Sequence, residues 1–179
     1  IEKLNESSSL PISIIIGDLN GLKIANDTFG HAQGDKLLAE AANILKDIAG
    51  PNALISRYGG DEFVVILENV DSIKVNEICL AIKSECSNRK VGSIYVNIAL
   101  GFSTKYDANQ NINKIIKEAE ERMYRNKLLE DRSARNSIIA SLTKNLEEKS
   151  YETEEHAYRI YSLCVKIGKI LNLSTDKLD

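Results

Sequence analysis

Short β-branched runs and longer stretches with helical spacing take turns along the chain. Leu10–Asp18 (LPISIIIGD), behind Pro11, predicts a buried strand that breaks at the turn-rich Gly17-Asp18-Leu19-Asn20-Gly21. Leu37, Leu38, Ala41, Ala42, Leu45 and Ile48 recur at helical spacing until Gly50-Pro51 ends the pattern. Ala53–Tyr58 and Glu62–Leu67 follow, separated only by Gly59-Gly60-Asp61, and so short a glycine-containing link predicts a hairpin. A helix over Ser72–Ser87, a strand over Ile94–Phe102 and a helix from about Asn111 complete the series. The order β-α-β-β-α-β-α predicts an α+β domain, ferredoxin-like or nucleotidyl-cyclase-like. Its central antiparallel sheet would be flanked by helices, with a C-terminal helical extension.

That domain is expected within residues 1–132. Beyond it, Ile138, Ile139, Leu142 and Leu146 form a narrow stripe in a charged segment without Gly or Pro, which predicts a helical connector over 133–150. A last helix from about Thr153 carries Ala157, Ile160, Tyr161, Cys164, Ile167 and Leu171 on one face. One amphipathic helix is not a domain, so residues 151–179 are expected to open a further, truncated one.

Composition narrows the function. The chain has 179 residues, 43% of them hydrophobic, with 23 basic against 26 acidic side chains and a net charge of −3. A general grip on nucleic acid is not expected from that balance, and no apolar run is long enough to cross a membrane. Any phosphate-bearing ligand would be held locally. Three cysteines, Cys79, Cys86 and Cys164, fit neither a disulfide framework nor a CxxC clip, which points to a reducing, cytoplasmic setting.

Two stretches concentrate polar chemistry. In GDLNGLKIANDTFGHAQGD, Gly17 to Asp35, Asp18 ends a buried strand. Asp18 and the Leu19 carbonyl offer hard oxygen ligands for Mg²⁺. Asn20-Gly21-Leu22-Lys23 then opens a helix whose first N–H groups suit a phosphate, with Lys23 adding charge. Asn26, His31 and Asp35 lie around Gly30 and Gly34, and an Asn with an Asp can pair the amide-like edge of a purine. The plainer alternative makes Asn26 and Asp27 turn formers and Asp35 an N-cap before Lys36–Ile48. In RYGGDEF, Arg57 to Phe63, Asp61 and Glu62 are adjacent carboxylates at a hairpin tip. Either they are solvated or they hold a cation. With Asp18 expected on the neighbouring strand, a two-carboxylate metal site becomes the better reading.

Together these stretches resemble the GGDEF family of diguanylate cyclases. Gly59-Gly60-Asp61-Glu62-Phe63 is the signature pentapeptide. Asp18 to Asp27, followed by Gly30-His31 and Gly34-Asp35, is similar to the family's upstream motif, and Ala119 to Lys127 to its closing helix. The resemblance implies condensation of two GTP into cyclic di-GMP with release of two pyrophosphates. It also implies two Mg²⁺ ions, with Mn²⁺ as the alternative, on Asp18, the Leu19 carbonyl and Asp61. Asp61 would be the general base, with Glu62 shaping the same site and Lys23 stabilising charge on the phosphates. Asn26 and Asp35 would read guanine, His31 would line the nucleoside pocket, and Lys127 would reach the β/γ end. Each domain would hold one GTP, so a second GGDEF domain is the implied partner, in a homodimer.

There are departures from the family pattern. Asn20 stands where Asp is common and Leu22 where an aromatic is common. The product-inhibition RxxD motif is replaced by Gly50-Pro51-Asn52-Ala53, the opening-helix motif is missing, and Leu128 to Arg132 replace the usual Gly-Arg-Asn. The tail Glu152 to Arg159 resembles, more weakly, the entry to an HD-GYP phosphodiesterase domain, with Glu152 and His156 four apart. A different reading follows from that tail: a GTP-binding module that regulates an attached phosphodiesterase.

Overall fold

The computed structural model describes residues 9–149 and 154–170. The chain divides into two units, Ile1–Ile138 and Ile139–Asp179. In the first, β1 (Ile12–Leu19) is buried at all 8 positions. Only a central strand covered on both faces needs that, which is why its sequence is a run of Ile rather than an alternation. After it come α1 (Leu22–Phe29), α2 (His31–Ala49), β2 (Leu54–Arg57) and β3 (Glu62–Glu68). Then follow α3 (Ser72–Asn88), β4 (Lys90–Val91), β5 (Ile94–Tyr95), β6 (Ile98–Lys105) and α4 (Ile112–Lys149). The second unit contains the residues of α4 from Ile139 on and α5 (Glu154–Ile170).

The main sheet runs β2-β3-β1-β6 with every neighbouring pair antiparallel. This is the arrangement expected of a β-α-β-β-α-β core. Alternation along β1 splits its side chains between two faces. Ile12, Ile14 and Ile16 join Ala99 of β6 and Ile112, Ile115, Ala119 and Met123 of α4 in one apolar cluster. That leaves the opposite face for α2 and α3, which contact β3, and β1 and β6, respectively. Gly101 on β6 explains how closely α4 lies: a Cβ there would come within 2.1 Å of the Met123 nitrogen and 2.2 Å of the Ala119 oxygen. Strand and helix backbones touch without a side chain between them.

β6 is an edge strand. α4 covers part of that edge with polar side chains, as the Asn126 amide donates to the Leu100 carbonyl at 2.7 Å and the Arg122 guanidinium to the Phe102 carbonyl at 2.7 Å.

Three sequence expectations need correction. The first hairpin strand is only Leu54–Arg57, with three of its 4 residues exposed, because it forms the other edge of the sheet. The strand expected over Ile94–Phe102 is two elements. Ile94–Tyr95 pairs with Lys90–Val91 in a separate small hairpin, turned by Gly92 at φ 64, and β6 starts only at Ile98. Finally, α2 begins at His31, with Gly30 (φ 85) as its N-cap, so Asp35 lies inside the helix and caps nothing. Glu152 lies outside the described residues, so the expected Glu152–His156 pair does too.

Candidate active site

The register of β1 and β3 sets Asp18 directly opposite Glu62. One residue on, the Leu19 N–H donates to the Asp61 carbonyl at 2.9 Å. The end of β1 and the tip of the hairpin are thereby fastened together, and Asp18, Leu19, Asp61 and Glu62 share one end of the sheet. The turn between β2 and β3 is held from within. Tyr58 and Gly59 donate to the Glu62 carbonyl at 2.8 and 3.4 Å. The Arg57 guanidinium donates to the Gly59 carbonyl (Nε, 3.2 Å) and to the Gly60 carbonyl (Nη2, 2.6 Å). Sequence reasoning gave Arg57 no such part. A cation two residues before a Gly-Gly turn, able to fork across two carbonyls, was the available signal.

Asp18 is only 4% exposed. Lys127, on α4, reaches it across the fold and places Nζ 2.7 Å from Oδ2. The other oxygen, Oδ1, is buried without a hydrogen-bond partner. Burial pushes the Asp18 carboxyl above its ordinary range, the Lys127 hydrogen bond pulls it back, and the charges of Asp61 and Glu62 push it up again. A buried carboxylate with an orphaned oxygen, beside two more carboxylates, is short of positive charge. That donor set fits a hard divalent cation. Among the described residues no three His, Cys, Asp or Glu side chains cluster to hold a metal by themselves. A cation on Asp18 and Asp61 would therefore complete its shell with backbone carbonyl, water or phosphate oxygens, which is how Mg²⁺ is ordinarily bound.

The second group of residues belongs to α1 and α2. Asn20 follows β1 and is fixed to Asn97, its N–H donating to the Asn97 carbonyl at 2.8 Å and its Nδ2 to Asn97 Oδ1 at 2.7 Å. Asn97 was not singled out from the sequence; the contact spans 77 positions and no local pattern announces it. Gly21, at φ 75, then turns the chain into α1, whose N-terminus has no side-chain cap. Lys23 is exposed on that first turn. Asn26 is not a turn former: it lies inside α1, and its Oδ1 is buried and unpartnered. It rests against Gly34 of α2, where a Cβ would come within 1.9 Å of that oxygen. His31 and Asp35, both exposed, lie one turn apart at the start of α2. The site residues thus form two sets, the carboxylates with Lys127, and Asn26 with His31 and Asp35. Between them in the chain lies the first turn of α1, which carries Lys23.

This arrangement of two motifs on a cyclase-like sheet is matched by known proteins. The family profile "Diguanylate cyclase, GGDEF domain" matches residues 1–133. The chain belongs to the GGDEF-domain family. It is 30% identical over 138 residues to Diguanylate cyclase A of Treponema denticola, covering 75% of this chain and 36% of that protein. To Diguanylate cyclase DosC of Escherichia coli K12 it is 26% identical over 119 residues, covering 64% of this chain and 26% of DosC. The chain thus spans about a third of the curated relatives it matches. Among solved structures, the GGDEF domain of DgcB from Caulobacter crescentus, in complex with c-di-GMP, shares the fold. Its TM-score is 0.61 at 24% identity, over 65% of this chain and 72% of that one. The active GGEEF domain of a Vibrio cholerae diguanylate cyclase gives the same TM-score, 0.61, at 24% identity, over 64% and 75%. No described helix is long and apolar enough to cross a membrane.

Proposed function

We propose that this domain is a diguanylate cyclase: it condenses two GTP into cyclic di-GMP and releases two pyrophosphates. The observation that carries the reading is the joining of the two motifs, Asp18 opposite Glu62 and Leu19 bonded to Asp61, at one end of the sheet. Asp18, the Leu19 carbonyl and Asp61 would hold the divalent cations, Mg²⁺ or Mn²⁺. When bound, these supply Lewis-acid polarisation of the α-phosphate.

The chain's own residues then have separate tasks. The open N-terminus of α1 and Lys23 take the negative charge of the triphosphate. Asn26 and Asp35 pair with the guanine edge, the buried Asn26 oxygen accepting from a base N–H and the Asp35 carboxylate from the neighbouring donors. His31 lines the nucleoside and Lys127 takes the distal phosphates. Asp61 accepts the proton of the 3′-hydroxyl as that oxygen bonds to the α-phosphorus of the other GTP, whose P–O bond to pyrophosphate breaks. Two such transfers close the ring. One domain presents one nucleotide, so two domains meet face to face.

The direct test is incubation of the protein with GTP and Mg²⁺, with chromatography for cyclic di-GMP and a pyrophosphate assay. Specific activity should rise with protein concentration. GTP binding without either product, at concentrations where the chain is shown to dimerise, would instead favour a nucleotide-sensing module.

A further inference from the structure

Lys127 and a metal ion need the same carboxylate. The ammonium is 2.7 Å from Asp18 Oδ2, on a carboxylate 95% buried in its side chain, while the lysine remains 30% exposed. The lysine reaches inward from α4, whose backbone is fixed against β6 by the contact at Gly101 and by the Asn126 amide on the Leu100 carbonyl. Between that backbone and the ammonium lies a four-carbon stem with several rotatable bonds. Glu62 is paired with Asp18 in the strand register and Asp61 precedes it, so three acidic residues lie at one end of the sheet. Lys127 is the lysine that forms an ion pair with one of them among the described residues.

We propose that Lys127 is an exchangeable counter-ion, holding Asp18 while the metal is absent and leaving it for the nucleotide phosphates when a divalent cation arrives. This rests on the cyclase reading of the site and goes beyond it, by assigning Lys127 a positioning role in the empty protein. Two cations compete for one buried carboxylate, so the lysine weakens metal binding in the absence of nucleotide. A triphosphate relieves that competition by giving the ammonium a second anionic partner. Metal and nucleotide then favour each other's binding partly through this side chain, and the coupling is reciprocal.

The test is Mn²⁺ binding without nucleotide, followed by calorimetry and by electron paramagnetic resonance of the free ion. Wild type, Lys127→Met, Lys127→Arg and Lys127→Met/Asp18→Asn are compared, with circular dichroism as the check on folding. Lys127→Met should bind Mn²⁺ roughly two- to fivefold more tightly than wild type, the scale of one partly exposed ion pair. Lys127→Arg, which keeps the charge, should stay near wild type, and Asp18→Asn should cancel the gain. In the presence of GTP the order should reverse, with Lys127→Met binding nucleotide more weakly. Equal or weaker metal binding by Lys127→Met without GTP overturns the exchange and leaves the cyclase reading intact. So does Mn²⁺ binding that needs GTP in every variant. Absence of Mn²⁺ binding in all variants even with GTP overturns both.

Discussion

A single backbone hydrogen bond, from the Leu19 N–H to the Asp61 carbonyl at 2.9 Å, fastens the end of the central strand to the hairpin tip. The carboxylates on either side of it are therefore placed by the sheet, and their removal should disturb chemistry and not folding. Asp18→Asn or Asp61→Asn should lower cyclic di-GMP formation by at least about a hundredfold, on the scale of damage to a metal site. The thermal midpoint of Asp18→Asn should equal or exceed that of wild type, because an ionised group that burial disfavours has gone. A product assay with a melting curve checks both.

Gly34 gives a sharper test of the base pocket. An Ala there gains about 1 kcal/mol in helix propensity, yet its Cβ would lie 1.9 Å from Asn26 Oδ1. The Asn side chain can turn aside at little cost, but not without leaving its place. Gly34→Ala should therefore keep the wild-type melting temperature within a few degrees and weaken GTP binding. Equal GTP affinity in calorimetry would remove Asn26 from guanine recognition.

The contact at Gly101 has the opposite character, because the neighbours of a new Cβ are backbone atoms of α4 at 2.1 and 2.2 Å. Backbone cannot turn aside. Gly101→Ala should cost about 3 kcal/mol, toward the upper end of overpacking penalties, measurable by urea titration. It should also displace Lys127, which α4 carries, so activity should fall at temperatures where the variant is still folded.

Burial pushes the thiols of Cys79 and Cys86 up to about 12 from an ordinary 9.0. Between those values the unfolded chain has lost protons that the folded chain keeps, so each thiol stabilises the fold below pH 9.0 and that contribution fades as pH rises. Stability should fall by roughly 1.4 kcal/mol per pH unit per thiol above that point. At pH 8, iodoacetamide should label Cys164, which is exposed, and leave Cys79 and Cys86 unmodified. Mass spectrometry of the labelled protein decides it.

Product feedback should also differ from that of cyclases carrying an RxxD motif. Gly50, at φ 83, and Ala53 close a turn through the Ala53 N–H on the Gly50 carbonyl at 3.2 Å. Neither offers a guanidinium or a carboxylate. Cyclic di-GMP should not inhibit through this surface, and calorimetry on Asn52→Ala should match wild type.

How much of this was readable beforehand depends on the distance over which each feature is encoded. The hairpin and its acidic pair are local, and the Ile run of β1 announced a strand covered on both faces, so Asp18 could be placed beside Asp61 from the sequence. Asp35 misled because a carboxylate before an apolar helix has the look of an N-cap, whereas Gly30 with φ 85 starts the helix earlier. The division of Ile94–Phe102 was hidden because both strands are apolar and the break between them is only Val96-Asn97, while Gly92 turns the small hairpin that precedes it. Asn20 with Asn97, and Asp18 with Lys127, are pairings across 77 and 109 positions that only the assembled sheet creates.

Asn126 and Arg122 bear on solubility as well as on packing. By taking the outward carbonyls of Leu100 and Phe102, they make a helix do the work of the missing next strand. Peeling α4 away would uncover a ready template for strand addition. A protein shortened before α4 would thus be prone to self-association, and the helix that carries Lys127 to the carboxylates also guards the sheet against its own copies.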